Sequence, residues 1–132
     1  MRYFISMSTK KSFAQRNARV SRPERFQVDF LPRAIDEMVP SDHRCRIVWR
    51  FVESIDLEPF YQNIQVSGSQ AGRNAIAPEV LISLCLMATL DGISSAREIA
   101  RRCETDLIYR WICGGVSVNY HSISDFRCDH FE

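Results

Sequence analysis

The run Pro78-Glu79-Val80-Leu81-Ile82-Ser83-Leu84-Cys85-Leu86-Met87-Ala88-Thr89-Leu90-Asp91-Gly92 decides how this chain must fold. It is apolar nearly all round, so a helix built from it has no face for water and must be enclosed by its neighbours. Pro78 suits the first helical position, where its missing amide hydrogen would be unpaired anyway. Gly92 supplies the stop after Asp91. The apolar part is about half a membrane span and is flanked by Glu79 and Asp91, which makes it a core helix and not a transmembrane one.

Working outward, the segments on either side are amphipathic and short. Downstream, Ser95-Ala96-Arg97-Glu98 reads as a capping box in which Ser95 serves the Glu98 amide and Glu98 reaches back. That helix should bury Ala96, Ile99, Ala100 and Cys103 and turn Arg97, Arg101 and Arg102 outward, with Glu98 set before Arg102 at i, i+4. Thr105 or Asp106 caps the next helix, whose inner face is Leu107, Ile108, Trp111 and Ile112 and whose stop is Gly114-Gly115. Arg110 is placed to stack on Trp111 or to pair with Asp106. Ser122-Ile123-Ser124-Asp125 starts a last helix, expected to be cut short at Glu132.

Upstream, Pro40-Ser41-Asp42 opens a helix with Ser41 or Asp42 as its cap. Its stripe is Ile47, Val48, Phe51, Val52 and Ile55, with Arg46, Arg50 and Glu53 opposite and Arg50–Glu53 as a surface pair. A helical turn over Leu57 to Gln62 precedes a flexible loop from Asn63 to Ala77. Phe26 to Leu31 alternates and is expected to run extended along the body. The sum is an all-α fold: a small multi-helix bundle in residues 26–132 with a helix-turn-helix-like C-terminal half.

Charge is unevenly spread. Net charge is +1, yet residues 1–26 hold seven basic groups against one acid, and beyond them ten arginines face fifteen acids. Residues 1–25 lack apolar periodicity and read as a disordered basic arm suited to a polyanion, with Lys10, Lys11, Arg16 and Arg19 as candidate contacts. Met7 is a plausible alternative start to Met1. Five cysteines without a CxxC pair suit small buried side chains in a reducing compartment, and Tyr3-Phe4-Ile5 is far too short for a secretory signal. A soluble, cytoplasmic protein follows as the expectation.

Several stretches together resemble the InsH-like N-terminal domain of bacterial insertion-sequence transposases. They are Gly72-Arg73 leading into Pro78-Glu79-Val80-Leu81, Leu90 through Arg101, Tyr109 through Gly115, and Val118 through Arg127 with His130. Asn74 departs from the usual proline, and Cys85 and Cys128 replace bulkier residues. The resemblance implies a bacterial, nucleoid-associated protein whose helical part binds the double-stranded ends of a mobile element. It also implies a separate RNase H-like domain with an Asp-Asp-Glu triad, which is expected to be absent from this chain. Mg²⁺ is expected only with that domain, so this chain is read as non-enzymatic, without cofactor, small-molecule substrate or membrane partner.

Other chemistry fits the residues less well. Asp125, Asp129 and Glu132 share one helical face, whereas two-metal sites draw their carboxylates from separate rigid elements. Cys128 and His130 would point about 200° apart on a helix, so a zinc set with Cys113 and His121 is not expected. DNA contact is the reading that survives. Fifteen of the seventeen basic residues are arginine, which offers phosphates and guanine edges a forked donor. If the last helix enters the major groove, its first turn presents Ser122, Ser124 and Asp125 to the DNA, with Arg127 and His130 further along and Arg97, Arg101 and Arg102 nearer the backbone. The alternatives are a module that pairs transposase subunits into a homo-oligomer, or a non-functional truncated remnant.

Overall fold

The computed structural model describes residues 25–26, 32–67 and 75–131, and every regular element among them is helical. The helices are α1 (Ile35–Met38), α2 (Arg44–Ser54), α3 (Glu58–Ser67), α4 (Pro78–Leu90), α5 (Ala96–Thr105), α6 (Leu107–Cys113) and α7 (Tyr120–Phe131). The chain divides into two units, Met1–Leu31 and Pro32–Glu132. Of the first unit, Arg25 and Phe26 form a bend with exposed side chains. The basic arm over 1–24, the extended strip expected at Phe26–Leu31 beyond Phe26, and Glu132 lie outside the described residues.

The apolar run is the buried helix that its composition demands. Nine of the thirteen residues of α4 are buried, and α2, α6 and α7 pack around it. Each fully buried leucine such as Leu84 contributes about 1.5–3 kcal/mol by leaving water. The helix ends in a Schellman motif. Gly92 takes a left-handed φ of +71°, its amide bonds Thr89 O at 3.1 Å, and the Ile93 amide bonds Ala88 O at 2.8 Å. A side chain at position 92 would meet open space, so the demand for glycine there comes from the backbone angle alone.

Asp91, the last residue before that glycine, ties two other helices to the end of α4. The Tyr109 hydroxyl of α6 donates to Asp91 Oδ2 at 2.7 Å, and the Arg44 guanidinium at the start of α2 donates to Oδ1. Burial first, and then the Asp91 carboxylate that accepts its proton, pushes the Tyr109 phenol well above its usual range. A second tie holds α1. Trp111 Nε1 and Arg46 Nη1 donate to Asp36 Oδ1 at 2.9 and 2.8 Å, and together hold that carboxyl below the usual range. Arg46 also bonds the carbonyls of Asp36, Val39 and Pro40 and lies 5.0 Å from the Trp111 ring centroid.

Several local expectations change. His43 caps α2, its Nδ1 accepting from the Cys45 amide at 3.1 Å, where Ser41 or Asp42 had been expected. Cys45, Val48 and Val52 form the buried face of α2, while Ile47 and Phe51 stand 61% and 56% exposed. The stripe is therefore narrower than the sequence suggests, because α2 has one dense neighbour, α4, and a lighter contact with α6. Arg46 is inward, not opposite the core, and Glu53 accepts from Trp49 Nε1 at 2.8 Å instead of pairing with Arg50. Helix α3 runs on to Ser67, five residues past the expected turn, capped by Asp56 Oδ1 on the Glu58 amide at 3.1 Å.

Candidate nucleic-acid interface

The three arginines expected on α5 do not behave alike. Ser95 Oγ accepts from the Glu98 amide at 3.3 Å, the first half of the expected box. The Glu98 carboxylate turns forward and not back. It accepts from Arg101 at 2.9 and 2.6 Å and from Arg102 at 3.3 Å, which holds its carboxyl down to about 2. Arg102 also pairs with Asp106 at 3.8 Å and lies 5.8 Å from the Tyr109 ring centroid, so it is half-buried in a neutralised network. Arg97 is exposed, and its guanidinium lies 4.5 Å from the Tyr120 ring centroid. No carboxylate pairs with Arg97 among the described residues.

The last helix begins at Tyr120, two residues ahead of the expected Ser122. Asn119 caps it, its Oδ1 accepting from the Ser122 amide at 2.9 Å and the Ser122 hydroxyl at 3.1 Å. Ser122 is thereby engaged in the cap, while Ser124 is exposed. Arg127 turns inward, Nη1 donating to the Ser94 carbonyl at 2.5 Å beside the buried Cys85 thiol, which burial pushes up and Arg127 draws down. His130 is also inward, its ring 4.8 Å from Phe60 and 4.6 Å from Phe126. The outer face of α7 is left to His121, Ser124, Asp125, Cys128 and Asp129, a surface without an arginine. Lys10, Lys11, Arg16 and Arg19 lie outside the described residues.

Of the residues singled out on α5, Arg97 reaches across to Tyr120, at the seam between the start of α5 and the first turn of α7. Helical register sets Ser124 one turn beyond Tyr120 on the same face. Tyr120 and His121, with ring centroids 4.0 Å apart and planes 32° apart, belong to this seam and escaped the reading of the sequence. The missed signal is Asn119: read as the cap, it moves the helix start back and brings Tyr120 to the first turn. Arg110 is exposed, and neither expected partner holds it. Asp106 instead caps α6 through the Ile108 amide at 2.8 Å and pairs with Arg102, and the cation over Trp111 is Arg46.

Two concavities lie among the described residues. A groove of about 580 Å³ lies between α4, the 92–94 turn and α7, lined by Leu86, Thr89, Ile93, Arg127 and Phe131 among others. A smaller one of about 330 Å³ holds the Arg44–Asp91 and Arg102–Asp106 pairs with Tyr109, so its charges are already matched. Among the described residues, no three His, Cys, Asp or Glu side chains converge to hold a metal ion. The two-metal chemistry implied by the resemblance therefore finds no fitting ligand set in them. No helix among them is long and apolar enough to cross a membrane.

Residues 33–129 match the family model described as a transposase domain (DUF772). No curated protein and no solved structure matches the chain.

Proposed function

The chain belongs to the transposase-domain (DUF772) family, and from that premise we propose that residues 26–132 are a DNA-binding segment of an insertion-sequence transposase that binds the element's terminal inverted repeats. The observation that carries this reading is the family match, which spans α1 to α7 almost entirely. The exposed Arg97 of α5, which no carboxylate among the described residues pairs, and the basic arm read from the sequence support it, since phosphate contact needs available cations at the surface. The C-terminal three helices, α5 to α7, are proposed to act as a helix-turn-helix-like unit. On this reading, strand cutting and its Mg²⁺ ions belong to a separate RNase H-like domain and not to this segment.

A gel-shift salt series tests the proposal. The expected result is tighter binding to the element's ends than to random duplex, with a log-log salt slope of several units. Equal affinity for both duplexes at moderate salt would refute recognition of the ends. Mg²⁺-dependent strand cleavage by the purified chain would refute the division of labour.

One observation favours a second reading, a subunit-pairing module. Ile47 and Phe51 lie one turn apart on α2, both more than half exposed, with Arg50 between them. Light scattering separates the two: a salt-insensitive dimer that ignores duplex DNA supports pairing as the main role.

A further inference from the structure

We infer that the seam of Arg97, Tyr120, His121 and Ser124 is where the DNA phosphate backbone docks, and that the outer face of α7 beyond it is turned away from the duplex. This rests on the DNA-binding reading above and assigns it a place on the fold. The Arg97 guanidinium carbon lies 4.5 Å from the Tyr120 ring centroid, within cation–π range. No carboxylate among the described residues takes the Arg97 N–H donors, and a phosphate engages such donors in a fork. The His121 ring packs against Tyr120 with centroids 4.0 Å apart, and the exposed Ser124 adds a hydroxyl donor one turn along α7.

The neighbouring charges set the boundary of the site. Arg101 and Arg102 already share the Glu98 carboxylate, so a phosphate would have to compete with a formed ion pair. Along α7, Asp125 follows His121 by one turn and Asp129 follows Asp125, both exposed, so a duplex laid on that face would meet two carboxylates. Arg127, the cation that would offset them, donates to Ser94 O, and the His130 ring packs against Phe60 and Phe126. The phosphate path therefore crosses the N-terminal end of α7 and not its length.

The test is fluorescence anisotropy of the full chain with a labelled random-sequence duplex and with a duplex carrying the element's ends, across a salt series. Arg97→Ala should lower the log-log salt slope by about one and weaken binding about tenfold near 0.1 M salt. Arg97→Lys should restore most of the slope, since it keeps the charge. Tyr120→Leu should leave the slope and weaken binding a few-fold by freeing the guanidinium. Asp125→Asn should strengthen binding if the seam faces DNA. Circular dichroism melting confirms that each variant is folded.

Arg97→Ala with the affinity and slope of the parent chain would overturn the inference while leaving the DNA-binding reading in place. Arg127→Ala matching the loss expected of Arg97→Ala would overturn it too. Failure of the parent chain to bind either duplex would sink the DNA-binding reading, and the inference with it.

Discussion

Helices α4 and α7 have nearly the same length, thirteen and twelve residues, yet nine residues of α4 are buried against two of α7. The first packs against three neighbours, and its polar groups bond within the fold: Thr89 bonds back to Cys85 O, and Glu79 accepts from the Tyr61 hydroxyl. The second lies on the bundle by Ile123 and Phe126 and keeps one acidic face in water. A helix enclosed on all sides can hold little chemistry, because each polar group in it must find a partner. A helix bound by one stripe can carry chemistry, but its long side chains can also fold back onto the body. Arg127 and His130 do that.

The sharpest way to break this comparison is a pair of truncations read by urea unfolding. Leu84→Ala in α4 should cost about 3 kcal/mol, the transfer term plus an unfilled cavity, because the site is fully enclosed. Asp129→Ala on the outer face of α7 should stay within about 0.5 kcal/mol. Comparable losses at the two positions would mean that the outer face of α7 is packed against something and is not a solvated surface.

The inward pair on α7 is the next test. Arg127→Met removes the bond to Ser94 O, and His130→Ala removes the ring contacts with Phe60 and Phe126; each should cost about 1 kcal/mol. Neither should change the salt slope of DNA binding. A loss of slope without a loss of stability would return these residues to the DNA-facing role read from the sequence.

How much of this was legible follows from what kind of fact each feature is. The burial of Pro78–Leu90 is a property of composition, so the residues alone dictate it, and the Gly92 stop follows from one backbone angle. The Ser95 cap is equally local. What could not be read is partner choice across the fold. Nothing near Arg46 in sequence says that it will meet Asp36 and Trp111, and nothing near Tyr109 says that Asp91 waits for its hydroxyl. The candidate site fails in the same way: arginines on α5 were visible, but which of them Glu98 would neutralise depended on rotamers. The ring that meets Arg97 arrives from α7, 23 positions on, which no local pattern announces.

Within α4 one group departs from the rule. Ser83 is fully buried, and its Oγ has no hydrogen-bond partner among the described residues. Ser83→Ala removes the unsatisfied hydroxyl at little change in volume and should stabilise the chain by about 1 kcal/mol. A destabilised Ser83→Ala, seen as a lower urea midpoint at unchanged slope, would show that the hydroxyl has a partner, such as an ordered water, and that α4 is less dry than its surroundings suggest.

The smallest effect concerns the charge on α5, where the buried and exposed sides of the bundle meet. Glu98 has its folded carboxyl held at about 2, below an ordinary value of 4.5, by its bonds to Arg101 and Arg102. The sign is that of a depressed acid: its stabilising contribution is complete above about 4.5 and is lost as pH falls toward about 2, because the unfolded chain takes up the proton first. The gap in melting temperature between the parent chain and Glu98→Gln should therefore be steady above that window and narrow through it, and a gap indifferent to pH would show that the pairing adds nothing to stability. The same substitution frees Arg101, one turn from Arg97, from its ion pair, while Arg102 keeps Asp106. If the start of α5 faces DNA, Glu98→Gln binds duplex more tightly and with a steeper salt slope while folding less stably in neutral solution. Opposite signs in the two assays, from one side chain, separate a surface kept for a polyanion from one whose charges serve only the fold.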